Sequence, residues 1–416
     1  MTLPTRTDVL VVGAGPAGAS AAAWSARLGL SVVLTDAAVF PRDKTCGDGL
    51  TPRAIGELAR LGLEDWVRGH TVNRGLRANG FGQELLLPWP GGSLPDYGSA
   101  VPRTEFDAKI RQTAVDAGAH ALDGARAVDV ERDGAGRVTA VLFSLGKDRQ
   151  PHRIECTRLV VADGVRSPLG RVLGRTWHRD TVYGVAGRSY VKSGRSDDPW
   201  ISSHLELRGE DDEILPGYGW IFPLGDGEVN LGVGALATAK RPANLQIRPL
   251  MEHYARARRT EWDLSSELRL PTSALLPMGG AVSGVAGPNW ILVGDAAACV
   301  NPLNGEGIDY GLETGRLGAE LLAGGPDVAL DTVWPALLTD HYGEAFSIAR
   351  RLASLITVPR LLPTAGPVAM RSHVLMTIAL RVMGNLVTPE DRDVTARVWR
   401  WAGRRSVRLD DRPPFS

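Results

Sequence analysis

The chain has 416 residues, of which 44% are hydrophobic and 23% are charged, a composition typical of a folded protein with more than one hydrophobic core. Its 47 basic and 47 acidic residues leave a formal net charge of zero, which gives no support to nucleic-acid binding driven by a whole-protein field. The charge is uneven, because the segment from Glu344 to Ser416 holds 12 Arg against six acids. Such a basic tail is either a solvated helix surface or a surface for an anionic membrane.

The first elements along the chain predict a strand, a glycine-rich turn, a helix and a second strand. Apolar Val9 to Val12 leads into a turn, Gly13-Ala14-Gly15-Pro16-Ala17-Gly18, and a small-residue helix to Leu28. Gly13, Gly15 and Gly18 let the backbone approach a pyrophosphate at the helix N-terminus. Asp36, at the end of the second strand, Ser31 to Thr35, is placed to accept hydrogen bonds from a ribose diol. Together these features predict a dinucleotide-binding unit.

The later elements predict a discontinuous first domain with a second sheet inserted into it. Helices are predicted over Pro52 to Val67 and Arg103 to Ala117, and a hairpin over Val128 to Leu145 around Asp133-Gly134. Short buried strands are predicted at Leu159 to Val161 and Trp290 to Val293. We expect a nucleotide domain over 1–75, 100–180 and 286–330, a substrate-binding sheet domain over 76–99 and 181–285, and a C-terminal helical region over 331–416.

Two further segments resemble motifs of the hydroxylase-type flavoproteins. One is the Asp-Gly segment from Val160 to Arg171, and the other is the Gly-Asp segment from Ile291 to Ala297, which is followed by Pro302. The resemblance implies FAD and a Rossmann-type α/β (α+β) domain of the p-hydroxybenzoate-hydroxylase-like class, with an antiparallel-sheet domain inserted in it. It also implies that the cofactor-binding residues are Gly13, Gly15, Ala17, Gly18, Asp36, Asp163, Gly164, Asp295, Gly305, Gly307 and Ile308. Taken alone, Asp295 is better explained as a helix-capping residue.

Two motifs resemble those of the geranylgeranyl reductase family, over about residues 5 to 315. Tyr218-Gly219-Trp220-Ile221-Phe222-Pro223 precedes Gly232-Val233-Gly234 by eight residues, and Lys44-Thr45-Cys46-Gly47-Asp48-Gly49 is similar to the family's flavin loop. The resemblance implies that Tyr218, Trp220 and Phe222 bind a prenyl chain. It implies that Cys46, Gly47, Gly49 and Arg103 lie at the flavin and Ala127 near its adenosine. Each of these residues also has a purely structural alternative. Tyr218, Trp220 and Phe222 would then form an ordinary aromatic face of a sheet, Cys46 would be a small buried residue, and Arg103 would be a solvated residue at the start of a helix.

The family reduces carbon-carbon double bonds of polyprenyl chains, so the resemblance implies hydride transfer from reduced flavin N5 together with a proton. Participation of Cys46 in proton transfer is a hypothesis. The segment from Arg371 to Arg392 and the closing Asp411-Arg412-Pro413-Pro414 resemble actinobacterial members that act on menaquinone, which implies menaquinone as substrate. The alternatives are a geranylgeranyl diphosphate, chlorophyll or ether-lipid reductase, a flavin monooxygenase or halogenase, and a prenyl-binding protein without enzymatic activity.

The remaining expectations concern partners and location. No second dinucleotide motif is found, so the electron donor is either NAD(P)H or a reduced carrier. Cys46, Cys156 and Cys299 form no Cys-x-x-Cys pair, and we expect no metal. Apolar residues at helical spacing alternate with Arg in the tail, which fits either core helices or peripheral contact with a membrane. We expect a cytoplasmic protein at the inner face of the cell membrane.

Overall fold

The computed structural model describes residues 3–243, 245–325 and 327–416. Their strands, in chain order, are β1 Arg6–Val12, β2 Val32–Thr35, β3 Gly49–Leu50, β4 Thr71–Asn73, β5 Gly75–Gly80, β6 Gln83–Pro88, β7 Gly98–Ala100, β8 His120–Leu122, β9 Ala125–Arg132, β10 Val138–Leu145, β11 Gln150–Val161, β12 Thr176–Trp177, β13 Tyr183–Lys192, β14 Ile201–His204, β15 Gly217–Pro223, β16 Glu228–Ala237, β17 Arg269–Pro277, β18 Val282–Ser283, β19 Ala286–Gly287 and β20 Trp290–Leu292.

The helices of the described residues, in chain order, are α1 Pro16–Arg27, α2 Pro52–Arg60, α3 Glu64–Arg68, α4 Arg103–Asp116, α5 Pro168–Val172, α6 Ile247–Trp262, α7 Ile308–Ala323, α8 Leu330–Leu338, α9 Glu344–Ile356, α10 Leu361–Met370, α11 His373–Met383 and α12 Val394–Val407. A 3₁₀ turn over Gly294–Ala297 precedes α7, and a π turn over Thr339–Gly343 joins α8 to α9.

The first sheet has a parallel centre in which β8, β2, β1, β11 and β20 are neighbours in that order. The predicted strand-helix-strand unit is confirmed, because β1, α1 and β2 occupy its three segments. The first half of β11 extends beyond this centre and pairs antiparallel with β10, which in turn pairs with β9. The hairpin predicted around Asp133-Gly134 is therefore confirmed.

Small residues let α1 lie directly against α7. A Cβ atom at Gly315 of α7 would lie 2.4 Å from the carbonyl oxygen of Ala17, and one at Gly311 would lie 3.5 Å from the Ala17 nitrogen. The Ser20 hydroxyl donates to the Leu312 carbonyl at 2.8 Å. This close packing brings the first turns of both helices to the same place.

The second sheet has the order β17-β13-β16-β15-β14-β5-β6 and is antiparallel except for the parallel pair of β14 and β5. One face packs on α6, where Tyr254 lies so close to Gly219 that a Cβ atom there would be 2.4 Å from its ring. Residues of β15 alternate between faces, so Tyr218, Trp220 and Phe222 point the other way. On that side, residues of β5, β6 and β14 pack against Met370 of α10 and Met376 and Leu380 of α11.

One predicted helix is wrong. The segment from Pro52 to Val67 forms two helices, α2 and α3, because the chain turns at Gly62, whose φ of 76° interrupts a right-handed helix. The segment after residue 330 forms α8 to α12. Among the described residues no single helix has the length and apolar character to cross a membrane. One bent pair of helical segments has that length and apolar character when its two parts are taken together. The pair is Leu330–Ile356 and Leu361–Met370, with a bend of 110° between them.

The contact around Gly18 gives a test of the first turn. A Cβ atom at Gly18 would lie 1.7 Å from the Gly13 carbonyl oxygen, so Gly18→Ala forces the turn apart. We expect the variant to lose about 2–3 kcal/mol of unfolding free energy in denaturant titration, and to lose bound cofactor. Gly134→Ala is the matched control, because nothing lies within 4 Å of its added Cβ atom. Equal unfolding midpoints for the two variants would contradict this packing.

Candidate active site

The glycine-rich turn forms one wall of a cavity. Gly13, Gly15 and Ala17 line it, and a Cβ atom at Gly13, whose φ is 101°, would lie 2.2 Å from the Ala162 carbonyl oxygen. Gly18 lies behind the turn, in contact with Gly13. Asp36 also lines the cavity and accepts hydrogen bonds from the backbone nitrogens of Ala14 and Ala38, both at 2.8 Å. The turn is thus bare backbone at a helix N-terminus, which fits a pyrophosphate.

The two Asp motifs line the same cavity. The Asp163 carboxylate accepts hydrogen bonds from the Ser167 hydroxyl and the Leu169 backbone nitrogen, and thereby holds the start of α5. Gly164 lies beneath Lys44, whose amine would be 3.5 Å from a Cβ atom there. A Cβ atom at Gly307 would be 2.9 Å from Asp295 Oδ1. Gly305, Gly307 and Ile308 line the cavity where α7 begins.

A chain of ion pairs orients Arg103 at the cavity wall. Arg103 forms two hydrogen bonds with Asp107, at 2.7 and 2.8 Å, and is 6% exposed. Arg42 also binds Asp107 at 2.7 Å and lies 3.6 Å from Asp36. Ala127, on β9, lines the same end of the cavity. The structure therefore brings Arg103 and Ala127 to the dinucleotide end, where Asp107, four residues further along the same helix, fixes Arg103.

The loop from Lys44 to Gly49 is joined to the second sheet by Asn230. Its side-chain nitrogen donates to the Cys46 carbonyl oxygen at 2.9 Å and to Asp48 Oδ2 at 2.8 Å. Its side-chain oxygen accepts from Trp220 Nε1 at 2.9 Å. The Tyr190 hydroxyl also donates to Asp48 Oδ2, at 2.7 Å. One amide thus connects the predicted flavin loop to the predicted substrate strand.

The three predicted substrate residues form a continuous aromatic face. The ring centroids of Tyr218 and Trp220 are 5.9 Å apart, and those of Trp220 and Phe222 are 6.3 Å apart. The Tyr218 hydroxyl donates to the Asn304 carbonyl oxygen in the loop before α7. Cβ atoms at Gly47 and Gly49 would lie 3.2 and 3.0 Å from the Phe222 ring. The missing side chains of both glycines therefore let the loop lie on the aromatic face.

The glycine-rich turn, the two Asp motifs, Arg103, the Cys46 loop and the aromatic face line one cavity of about 1000 Å³. Its dinucleotide end holds the glycine turn and Arg103, and its other end lies between the second sheet and the C-terminal helices. The apolar residues of that second end include Leu76, Phe81, Leu87, Leu276, Leu303, Ile356, Leu361, Leu362, Ala369, Met370, Met376, Leu380 and Met383. A long apolar ligand can therefore reach the dinucleotide end without leaving the protein interior.

Several ionisable groups of this cavity have shifted pKa values. Burial raises the pKa of the Cys46 thiol, against the opposing charge of Arg103, so the thiol stays neutral. Burial lowers the pKa of Lys44, although the nearby Asp295 carboxylate opposes this. Burial raises the pKa of Asp48 to about 6, against the hydrogen bonds from Tyr190 and Asn230. Within the described ranges, no group of three His, Cys, Asp or Glu side chains has the geometry of a metal site.

Four of the residues that build this site were not singled out from the sequence. Asn230 lies among the eight residues that separate the aromatic motif from Gly232, where the motif specifies nothing. Asp48 stands between glycines in the Cys46 loop and Glu306 stands between Gly305 and Gly307, and that position was the available signal. Tyr190 belongs to no motif, and its partner Asp48 is 142 residues away in sequence.

Comparison with known proteins gives consistent matches. Residues 6–201 match the family model described as an FAD binding domain. The chain is 63% identical to the menaquinone reductase of Mycolicibacterium smegmatis, over 99% of this chain and 100% of that protein. It is 61% identical to the menaquinone reductase of Mycobacterium tuberculosis over the full length of both. It is 29% identical to digeranylgeranylglycerophospholipid reductase 1 of Methanopyrus kandleri, over 76% of this chain and 80% of that one.

Solved structures agree on the fold. A geranylgeranyl bacteriochlorophyll reductase-like protein of Thermoplasma acidophilum superposes with a TM-score of 0.78 at 18% identity, over 95% of this chain and 99% of that one. A flavin-dependent brominase superposes with a TM-score of 0.74 at 19% identity, over 98% of this chain and 100% of that one. These matches confirm the predicted flavoprotein fold class, and at such identities they bear on the fold alone.

The buried Asp48 carboxyl predicts a pH-dependent effect of Asp48→Asn. Because the folded-state pKa of about 6 lies above the ordinary value of 3.8, the stability that Asp48 contributes is present at low pH and is lost as the pH rises through 6. Asn retains the acceptor oxygen and tolerates the φ of 62° at this position.

We therefore compare the unfolding free energy of Asp48→Asn with that of the parent protein. We expect the variant's value minus the parent's value to be about 1 kcal/mol larger at pH 7 than at pH 5. Denaturant titration of both FAD-loaded proteins at the two pH values measures the difference. A pH-independent difference would contradict the raised pKa.

Proposed function

This chain belongs to the menaquinone reductase family of FAD-dependent oxidoreductases, and on that premise we propose that it saturates one isoprene double bond in the side chain of menaquinone. The observation that carries the proposal is the single cavity, in which the dinucleotide end and the apolar end meet at the aromatic face. A quinone with a long prenyl chain has the shape and polarity that this cavity accepts.

FAD fits the residues of the dinucleotide end. The bare turn at Gly13 and Gly15 would hold its pyrophosphate, Asp36 its ribose, and the loops at Asp163 and Asp295 the remainder. When bound and reduced, FAD supplies the hydride that an unpolarised alkene needs. The chain itself must hold the alkene at contact distance, exclude water and supply a proton.

The aromatic face supplies the alignment. The side-chain oxygen of Asn230 fixes the Trp220 ring by accepting a hydrogen bond from the indole nitrogen. The backbone carbonyl of Asn304 fixes Tyr218 by accepting one from the phenol hydroxyl. Phe222 lies against the glycines of the Cys46 loop. Three rings held in this way form a rigid apolar surface beside the predicted flavin loop, which orients an apolar chain with little loss of conformational freedom in the protein.

A neutral lipid fits the apolar end better than a prenyl diphosphate does. Among the described lining residues from Ala274 onward there is no Lys or Arg. Arg42 and Arg103 belong to the dinucleotide end, and Arg188, which lines the cavity from β13 of the second sheet, is already paired with Asp43. A diphosphate in the apolar end would therefore have no unpaired cation beside it. A brominase-like fold supports halogenase or monooxygenase chemistry only by analogy.

We also propose that the protein meets its substrate at the inner face of the cell membrane. Val368 on α10 and Val374 on α11 are 64% and 69% exposed, and Arg360 and Arg371 lie exposed beside them. Leu361 and Ala369 of the same α10 line the apolar end of the cavity. An apolar, Arg-flanked surface next to the lipid cavity is suited to a peripheral contact with anionic lipid.

The substrate assignment is tested by mass spectrometry of quinones extracted in air from cells with and without the gene. We expect loss of the gene to remove a menaquinone that is two hydrogens heavier than the fully unsaturated form, and reintroduction to restore it. An unchanged quinone profile with altered ether lipids or chlorins would contradict the proposal.

The membrane contact is tested with the double variant Val368→Glu, Val374→Glu. We expect at least a tenfold weaker binding to phosphatidylglycerol vesicles in a flotation assay, because two apolar side chains leave the contact and two negative charges enter it. Val128→Glu, at a 48% exposed valine on β9, is the matched control. Equal flotation of the double variant and the control would contradict the surface that we assign.

A further inference from the structure

Glu306 is an acidic side chain on the wall of the cavity. It lies between Gly305 and Gly307, in the loop before α7, and it lines the cavity together with Thr51, Tyr218 and Asn304. The aromatic face and this carboxyl group therefore line the same part of the cavity.

The hydrogen bonds of Glu306 leave room for a proton. The Thr51 hydroxyl donates to Oε1, and the Asn304 side-chain nitrogen lies 3.3 Å from Oε2. The second contact is long for a charge-assisted hydrogen bond, which for N–H donors is about 2.7–2.9 Å. A proton on Oε2 therefore costs little in lost hydrogen bonding.

The surroundings of Glu306 favour its neutral form. Burial and the neighbouring Asp309 carboxylate raise the pKa of Glu306 well above its usual range. Burial also raises the pKa of Asp309 to about 6. Arg53 opposes both shifts, but its nitrogens are also engaged with the Asn385 and Val387 carbonyl oxygens and with Glu313. The hydroxyls of Tyr218 and Tyr310, whose pKa values burial raises, also face Glu306.

We propose that Glu306 is the acid that protonates the substrate double bond, an inference that rests on the proposed function. The alkene π bond is broken, one carbon takes the hydride that reduced FAD supplies, and the other carbon takes the proton from the Glu306 carboxyl group. Two C–H bonds form, FAD is left oxidised, and Glu306 is left as a carboxylate. The step needs no co-reactant beyond the reduced cofactor and this proton.

The proposed return of the proton runs by way of two carboxyl groups of α7. Asp309 and Glu313 are four positions apart on this helix, so their side chains follow one another along it, and Glu306 lies in the loop just before its first turn. Asp309 Oδ1 is buried without a hydrogen-bond partner among the described residues, and Glu313 is 13% exposed beside Arg53.

Cys46 is the competing acid at this site. Burial raises the pKa of its thiol above the ordinary value of 9.0, so the thiol keeps its proton near neutral pH. Its sulfur accepts a hydrogen bond from the Asp48 backbone nitrogen at 3.4 Å. The two candidates are separable by substitution, because they lie on different loops.

The experiment compares Glu306→Gln, Cys46→Ala and the control Glu320→Gln, whose carboxylate is 49% exposed on the same helix. Each FAD-loaded protein is reduced with dithionite without oxygen and mixed with menaquinone, and saturation of the chain is followed by mass spectrometry after reoxidation in air. We expect Glu306→Gln to slow saturation at least a hundredfold, Cys46→Ala to slow it at least tenfold less than Glu306→Gln does, and Glu320→Gln to leave it within about twofold of the parent protein.

A spectroscopic readout is independent of turnover. At pH 7.5 the oxidised, FAD-loaded parent should show the infrared carbonyl band of a protonated carboxyl group, shifted in D₂O. The band should be missing in Glu306→Gln and present in Glu320→Gln. A missing band in the parent, or normal saturation by Glu306→Gln, overturns the inference and leaves the proposed function standing. A parent protein that leaves the chain unsaturated overturns the proposed function and, with it, this role for Glu306.

Discussion

The side-chain amide of Asn230 is the contact on which the geometry of the site depends. It accepts from the Trp220 indole and donates both to the Cys46 carbonyl and to the Asp48 carboxyl group. The first of these groups belongs to the aromatic strand of the second sheet, and the other two belong to the loop beside the dinucleotide turn. Together with the hydrogen bond from the Tyr190 hydroxyl to Asp48, this bridge fixes the loop against the second sheet, because glycines at 47 and 49 leave the loop few side chains of its own with which to pack.

The consequence is a single cavity with chemically different ends. The dinucleotide end is made of bare backbone, ion pairs and a helix N-terminus, which suit a charged cofactor. The other end is apolar and is closed by α10 and α11, which suits a prenyl chain. Carboxyl groups at 48, 306 and 309 lie along the cavity or directly behind it, and their raised pKa values follow from burial. The cost of burying them is consistent with a function in holding or moving protons.

Much of this organisation could be predicted from the sequence, because the parts that bind nucleotide are local. The turn at Gly13, its helix and Asp36 lie within 30 residues, and the motifs at Asp163 and Asp295 are short. The bridging contacts could not be predicted in the same way. Asn230 and Cys46 are 184 residues apart, and only the pairing of β15 with β16 brings Trp220 next to Asn230. The break at Gly62 was missed because the apolar spacing of Pro52 to Val67 continues across a residue that takes a positive φ.

The central claim is that the prenyl chain, and not the quinone ring, receives the hydrogens. A single-turnover measurement tests it directly. The reduced, FAD-loaded protein is mixed with one equivalent of menaquinone without oxygen, and the extracted quinone is then exposed to air, which reoxidises the ring. The account predicts that the flavin is oxidised and that the quinone stays two hydrogens heavier after exposure to air. A flavin that is oxidised while the quinone returns to its starting mass would contradict the account.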